Sequence, residues 1–153
     1  MKKLLLILLL MAFSPVFASA EDIPYLDNAQ LTDILEKNKG KTILLNFFAT
    51  WCPPCRVELP ELVKVRNAVP EKELTVIGLS VDDDQSPVSS FIKEAGVNYP
   101  VYMADKSITD NFGISSVPHN VFYAPNGKME ISEPGMAEAG LLETIVRDLL
   151  THK

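Results

Sequence analysis

Cys52 and Cys55 are the only two cysteines of the 153-residue chain, and Pro53 and Pro54 stand between them. Two thiols at this spacing suit thiol–disulfide exchange, which needs a thiolate to attack and a second thiol close by to resolve the mixed disulfide. A cysteine at a helix N-terminus gains thiolate character from unpaired amide donors and from the helix dipole. Cys52, at an exposed helix start, is therefore the expected attacker, and Cys55, one turn inside the helix, the resolving thiol. Pro53 and Pro54 carry no amide hydrogen, so within this turn the Cys52 sulfur receives backbone donation mainly from Cys55 N–H. The proline pair also pre-sets φ for entry into the helix.

Other chemistries fit these residues less well. As an inert staple the short loop would stabilise the fold by only about 2 kcal/mol. Covalent haem attachment needs His after the second cysteine, where Arg56 stands. A peroxidase of the peroxiredoxin kind would need Thr three residues before the attacking cysteine, whereas Thr50 lies two before Cys52. His119 with the two thiolates would suit a soft or borderline metal, which keeps a copper-binding metallochaperone as a minor alternative; otherwise His119 is a strand-start histidine near the surface. Asp82-Asp83-Asp84 is read as a solvated loop, because no ligand spacing continues beyond it. No cofactor and no metal are expected, only the Cys52–Cys55 redox pair.

The elements that must hold this turn follow from apolar periodicity. Asp27 or Asn28 caps a first helix carrying Leu31, Ile34 and Leu35, stopped at Asn38-Lys39-Gly40. Thr42 to Ala49 is apolar on both alternating faces except at Asn46, the pattern of a central parallel strand covered by helices on both sides. The Cys52 turn opens a second helix marked by Leu59, Leu62, Val63 and Val65, with Pro60 inside it as an expected kink. Leu74 to Val81 is a second buried strand, Pro87 to Ala95 a helix closed by Gly96, Tyr99 to Met103 a strand, and Ser107 to Phe112 a brief helix. Val121 to Tyr123 and Met129 to Ile131 flank Asn126-Gly127, a strong hairpin signal, and Leu141 to Leu150 closes the chain as an amphipathic helix. The order predicts an α/β fold with a mixed sheet flanked by helices on both faces.

The N-terminus reads as an address. Lys2 and Lys3, an apolar run from Leu4 to Phe13 and Ala18-Ser19-Ala20 make a secretory signal peptide over residues 1–20, with cleavage expected after Ala20 and residues 21–153 forming the mature domain. The apolar run spans only about half a bilayer core as a helix, so an uncleaved anchor is the weaker reading. The net charge of −6, more negative once two lysines leave with the leader, makes nucleic acid an unfavourable partner.

Asn46-Phe-Phe-Ala-Thr-Trp-Cys-Pro-Pro-Cys-Arg-Val-Glu-Leu-Pro60 resembles the active-site stretch of the exported TlpA/ResA-like thioredoxins, which include the cytochrome c maturation reductases. Gly113-Ile-Ser-Ser-Val-Pro118, followed by Val121-Phe122-Tyr123, resembles that family's segment around its cis-proline. Two features depart from the pattern. His119-Asn120 stands where small hydroxyl residues are usual, and Asn46 stands where thioredoxin itself has a buried Asp.

The resemblance implies a thioredoxin-like fold and a monomeric, periplasmic or otherwise extracytoplasmic protein. It also implies that the protein reduces disulfides of exported clients with electrons from a membrane thiol donor. A disulfide oxidase or isomerase using the same residues is the alternative, and composition and spacing do not separate the directions. Taken alone, Val117–Pro118 would be trans; the resemblance implies a cis bond beside the cysteines that exposes the Val117 backbone to a bound polypeptide. Trp51, Pro53, Pro54, Val117 and Pro118 are then the substrate-binding residues, with Trp51 otherwise a packed aromatic beside the turn. Asn46 cannot titrate, so another group must take the Cys55 proton. Spacing alone reads Glu58 as a solvated helix acid; three residues after Cys55 and matching the family's acidic position, it becomes the expected proton acceptor, partly desolvated and with a raised pKa.

Overall fold

The structure, a computed structural model, describes residues 22–152. The leader expected over residues 1–20 lies outside the described residues. Among the described residues, no helix is long and apolar enough to cross a membrane. In chain order the elements are β1 (Tyr25–Leu26), α1 (Asn28–Lys37), β2 (Thr42–Phe48), α2 (Pro53–Ala68), β3 (Leu74–Ser80), α3 (Ser86–Glu94), β4 (Val101–Ala104), α4 (Lys106–Phe112), β5 (His119–Tyr123), β6 (Met129–Pro134) and α5 (Ala139–Leu149). One sheet joins all the strands in the order β1-β4-β3-β2-β5-β6. β1, β4, β3 and β2 run parallel, while β5 pairs antiparallel with β2 and with β6.

Every residue of β2 is buried, Asn46 included, as its largely apolar character on both faces requires of a strand covered on each side. Leu44 and Phe48 face a core built with Leu59, Leu62 and Val65 of α2, Val88 and Phe91 of α3, and Leu142 and Val146 of α5. Ile43, Leu45 and Phe47 face the other core, with Leu31 of α1 and Ile108 of α4. The thioredoxin-like α/β architecture read from the sequence is therefore present, helices on both faces included.

Boundaries differ from expectation where periodicity is weak. β1 has only two residues, too few to show any alternation, and is held at the sheet edge by β4. β4 starts at Val101 rather than Tyr99 because Pro100 cannot donate to the ladder, although its carbonyl accepts from Gly78 N at 2.9 Å. β6 continues to Pro134, its exposed Glu133 disguising the strand in the sequence. α1 starts where expected, with Asp27 and Gln30 forming a reciprocal capping box at 2.8 and 3.0 Å.

Candidate active site

α2 opens at the C-terminal end of the central strand β2, and its first turn holds the Cys52–Cys55 disulfide, with a Cα separation of 5.3 Å. Cys52 is the N-cap in extended conformation, and its sulfur accepts from Cys55 N at 3.2 Å, the contact the proline pair leaves available. Pro53 and Pro54 occupy the first helical positions, where no intrahelical donor is lost. The helix continues through Pro60 to Ala68.

The exposed attacker of the sequence reading is corrected: Cys52 is only 4% exposed and Cys55 0%. Both cysteines belong to the core cluster on the α2 face, and of the two Cys52 is the less completely buried. Cys52 Sγ lies 3.5 Å from the Val117 carbonyl oxygen, and the Val117–Pro118 bond is cis. Trp51, at 68% exposure, stands out beside the turn and is not a packed aromatic. Pro53, Pro54, Val117 and Pro118 line one apolar groove with Val57 and Met136. The fold thus brings all five expected substrate-binding residues to the rim of the disulfide.

Glu58 points inward. Cys55, Glu58, Leu59, Leu62 and Val65 are the buried residues of α2, and Glu58 is 0% exposed. Its Oε1 accepts from Asn120 Nδ2 at 2.7 Å and from Ala137 N at 2.8 Å, and its Oε2 accepts from Asn46 Nδ2 at 2.8 Å. Burial raises its pKa; the Ala137, Asn120 and Asn46 hydrogen bonds oppose that rise without cancelling it. The solvated helix acid that spacing alone suggests is not what the fold holds: Glu58 is buried, more completely than the partly desolvated acid implied by the resemblance.

The sequence marks Asn120 only as a departure from the family's pattern, without a role, and does not mark Ala137 as a site residue. Asn46 pairs in register with Asn120 across β2 and β5, which sets both amides on the α2 face. The signal available was two Asn in otherwise apolar strands, since a buried polar side chain needs a partner. Tyr99 is also close by: its hydroxyl is buried, with burial and then Glu58's charge disfavouring its ionisation. Gly78, next to Asn46 in register, leaves the space that Tyr99, Val101 and Phe48 fill.

Strand alternation sends His119 the opposite way. It opens β5, as expected of a strand-start histidine, but is only 7% exposed; its ring meets Phe47 edge-on while Nε2 shares a 2.9 Å hydrogen bond with Ser132 Oγ. Burial lowers its pKa, with Glu133 opposing. No group of three or more His, Cys, Asp or Glu side chains able to hold a metal occurs among the described residues.

Asp82 also corrects the sequence reading, for it is not solvated. Only 9% exposed, it accepts from Thr50 N at 3.0 Å, Thr50 Oγ1 at 2.6 Å and Ser80 Oγ at 2.7 Å, tying the end of β3 to the residue before Trp51. Asp83 and Asp84 are exposed as expected.

A disulfide capping a helix at the end of the central strand, faced by a cis-proline, defines a thioredoxin-fold protein with a dithiol/disulfide centre. The Redoxin family matches residues 2–127, and the chain belongs to that family. It is 31% identical over 78% of its length to the thiol-disulfide oxidoreductase ResA of Oceanobacillus iheyensis, covering 61% of that protein. Against ResA of Bacillus subtilis it is 32% identical over 60% of its length, covering 51% of that protein. The chain thus spans little more than half the length of these relatives. Among solved structures it resembles a thiol:disulfide interchange protein of the thioredoxin family from Chlorobium tepidum, with TM-score 0.70, 30% identity, and 75% and 83% of the two chains covered. It also resembles a secreted Mycobacterium tuberculosis disulfide oxidoreductase homologous to DsbE of E. coli, with TM-score 0.65, 26% identity, and 74% and 85% covered. The likeness to TlpA/ResA-like thioredoxins seen in the motif therefore extends through the fold.

Proposed function

We propose that the protein is an extracytoplasmic thiol–disulfide oxidoreductase that reduces disulfides of exported protein clients through Cys52 and Cys55. The carrying observation is the buried Glu58 carboxylate three residues after Cys55, on the same buried face of α2. Reduced Cys52, as thiolate, attacks the client disulfide and forms a Cys52–client bond as one client thiolate leaves. Glu58 then takes the Cys55 proton, and the Cys55 thiolate attacks the Cys52 sulfur. The Cys52–Cys55 disulfide forms, the second client thiolate leaves, and two electrons have passed from protein to client. A membrane thiol donor restores the dithiol, and the leader over residues 1–20 exports the chain.

The groove beside the disulfide supports client docking. Pro118 O is engaged by Gly135 N at 2.8 Å, so strand-like pairing with a client falls to Val117. Exposed Trp51, Val57 and Met136 offer apolar contact around the sulfurs. Names of relatives agree with the chemistry: the B. subtilis and O. iheyensis proteins are thiol-disulfide oxidoreductases.

Trapping tests the assignment of roles. Cys55→Ala should accumulate Cys52-linked mixed disulfides with clients, and Cys52→Ala should not; equal trapping by both would overturn it. Direction is tested by the reduction potential, expected nearer the roughly −270 mV of thioredoxin than the roughly −120 mV of a strong oxidant. A value above about −150 mV on that scale would replace the reductase with an oxidase.

A further inference from the structure

Glu58 is held only by N–H donors. Asn46 Nδ2 donates both to Glu58 Oε2 and, at 2.9 Å, to Asn120 Oδ1. With its oxygen engaged by Asn46, Asn120 presents Nδ2 to Glu58 Oε1, which also receives the Ala137 amide. Oε1 thus has two donors for its two lone pairs, whereas Oε2 has one donor and one lone pair open. Such a cradle fits an ionised carboxylate, and a proton arriving there finds room only at Oε2.

We propose that Asn120 is a positioning residue for thiol–disulfide exchange: its side-chain amide fixes Glu58 as an ionised proton acceptor whose open lone pair is on Oε2. The proposal rests on the reading of Glu58 as the acceptor of the Cys55 proton. Asn120 bonds to Asn46 and Glu58 and acts through Glu58. Its position makes it specific for this task, because β5 alternation turns it to the α2 face directly across from Asn46, while His119 turns away. A hydroxyl at position 120 would end one bond short of the carboxamide nitrogen and leave Oε1 with the Ala137 donor only.

The balance of charge states follows. Burial disfavours the Glu58 anion, and each N–H donor restores part of its stability. Removing the Asn120 donor raises the proton affinity of Glu58, so the acid stays protonated to higher pH and accepts the Cys55 proton over a narrower, more alkaline range.

The test uses oxidised protein first, so that no thiolate contributes. Carbon-13 NMR of the Glu58 carboxyl against pH should place its midpoint about one unit or more higher in Asn120→Thr and Asn120→Ala, the size of one lost charge-assisted hydrogen bond. In the unsubstituted protein the Asn120 side-chain amide resonances should titrate with the same midpoint as the Glu58 carboxyl, a measurement that needs no variant to fold. An unmoved Glu58 midpoint in folded variants, or Asn120 resonances indifferent to Glu58 titration, would overturn the proposal. The pH profile of mixed-disulfide resolution is then measured with reduced protein, and its midpoint should shift alkaline with the carboxyl. A shifted carboxyl midpoint with an unshifted resolution profile would support the Asn120–Glu58 link while refuting Glu58 as the acceptor.

Discussion

Two buried carboxylates flank the cysteine turn, and they are held by different partners. Glu58 lies within α2, beneath the turn, where burial outweighs three N–H donors and raises its pKa. Asp82 lies at the end of β3, where a backbone amide and the hydroxyls of Thr50 and Ser80 surround it. Hydroxyls can rotate and leave the acid well solvated by protein, so Asp82 acts as a knot joining β3 to the loop that carries Trp51. Amide donors around Glu58 are set by strand register and by the turn before α5. Burial alone therefore does not fix a carboxylate's surroundings: amides hold one acid, while hydroxyls and one amide hold the other.

The sharpest way to break this contrast is Glu58→Gln. Resolution of a mixed disulfide should slow by on the order of a hundredfold, the usual scale for a lost general base, with the protein still folded. The apparent pKa of the Cys52 thiol should fall, because a nearby negative charge is gone; stopped-flow resolution and thiolate absorbance at a series of pH values check both. Unchanged titration and rate would leave Glu58 as a structural acid like Asp82.

Asp82→Ala should do the reverse. Two hydroxyls and one amide lose their acceptor, which should cost about 2–3 kcal/mol of stability by urea unfolding while the reduced protein resolves mixed disulfides within a few-fold of the unsubstituted rate. A large rate loss in folded Asp82→Ala protein would move Asp82 into the exchange machinery.

The pH dependence of stability reports on Glu58. Glu58 has a folded pKa above its ordinary value of 4.5, so between that value and the raised one the folded state holds a proton the unfolded state has released. Its contribution is complete below 4.5 and is lost as pH rises through the folded pKa. Glu58→Gln should flatten this decline, measured as unfolding free energy from about pH 4 to pH 9.

The smallest expected effect is that of Thr50→Val, which removes one hydroxyl donor to Asp82 while keeping the backbone amide. A loss of about 1 kcal/mol in stability, with the Glu58 titration unmoved, is expected from urea unfolding and carboxyl NMR.

The sequence alone determined the things that depend on local spacing and on apolar period. Cys52-Pro53-Pro54-Cys55 carries its own turn chemistry, because prolines without amide hydrogens leave Cys55 N–H as the near donor. A β2 apolar on both faces except at Asn46, an Asn-Gly hairpin and the stripes of α2 and α5 suffice for a mixed sheet between helices. Tertiary structure decided whatever depends on which face a side chain takes and what meets it there. Glu58 has the same helical spacing whether solvated or buried, and only the packing of α2 on β2 and β5, with the turn before α5 above it, closes water out. Asn120 becomes a partner of Glu58 through the β2–β5 register, formed between residues far apart in the chain. Asp82, the first of three consecutive acids, is buried while the next two are not, because Thr50 arrives from another strand end to meet it. Side-chain spacing is a property of the local chain, but burial and hydrogen-bond partnership are properties of the neighbours that distant segments bring.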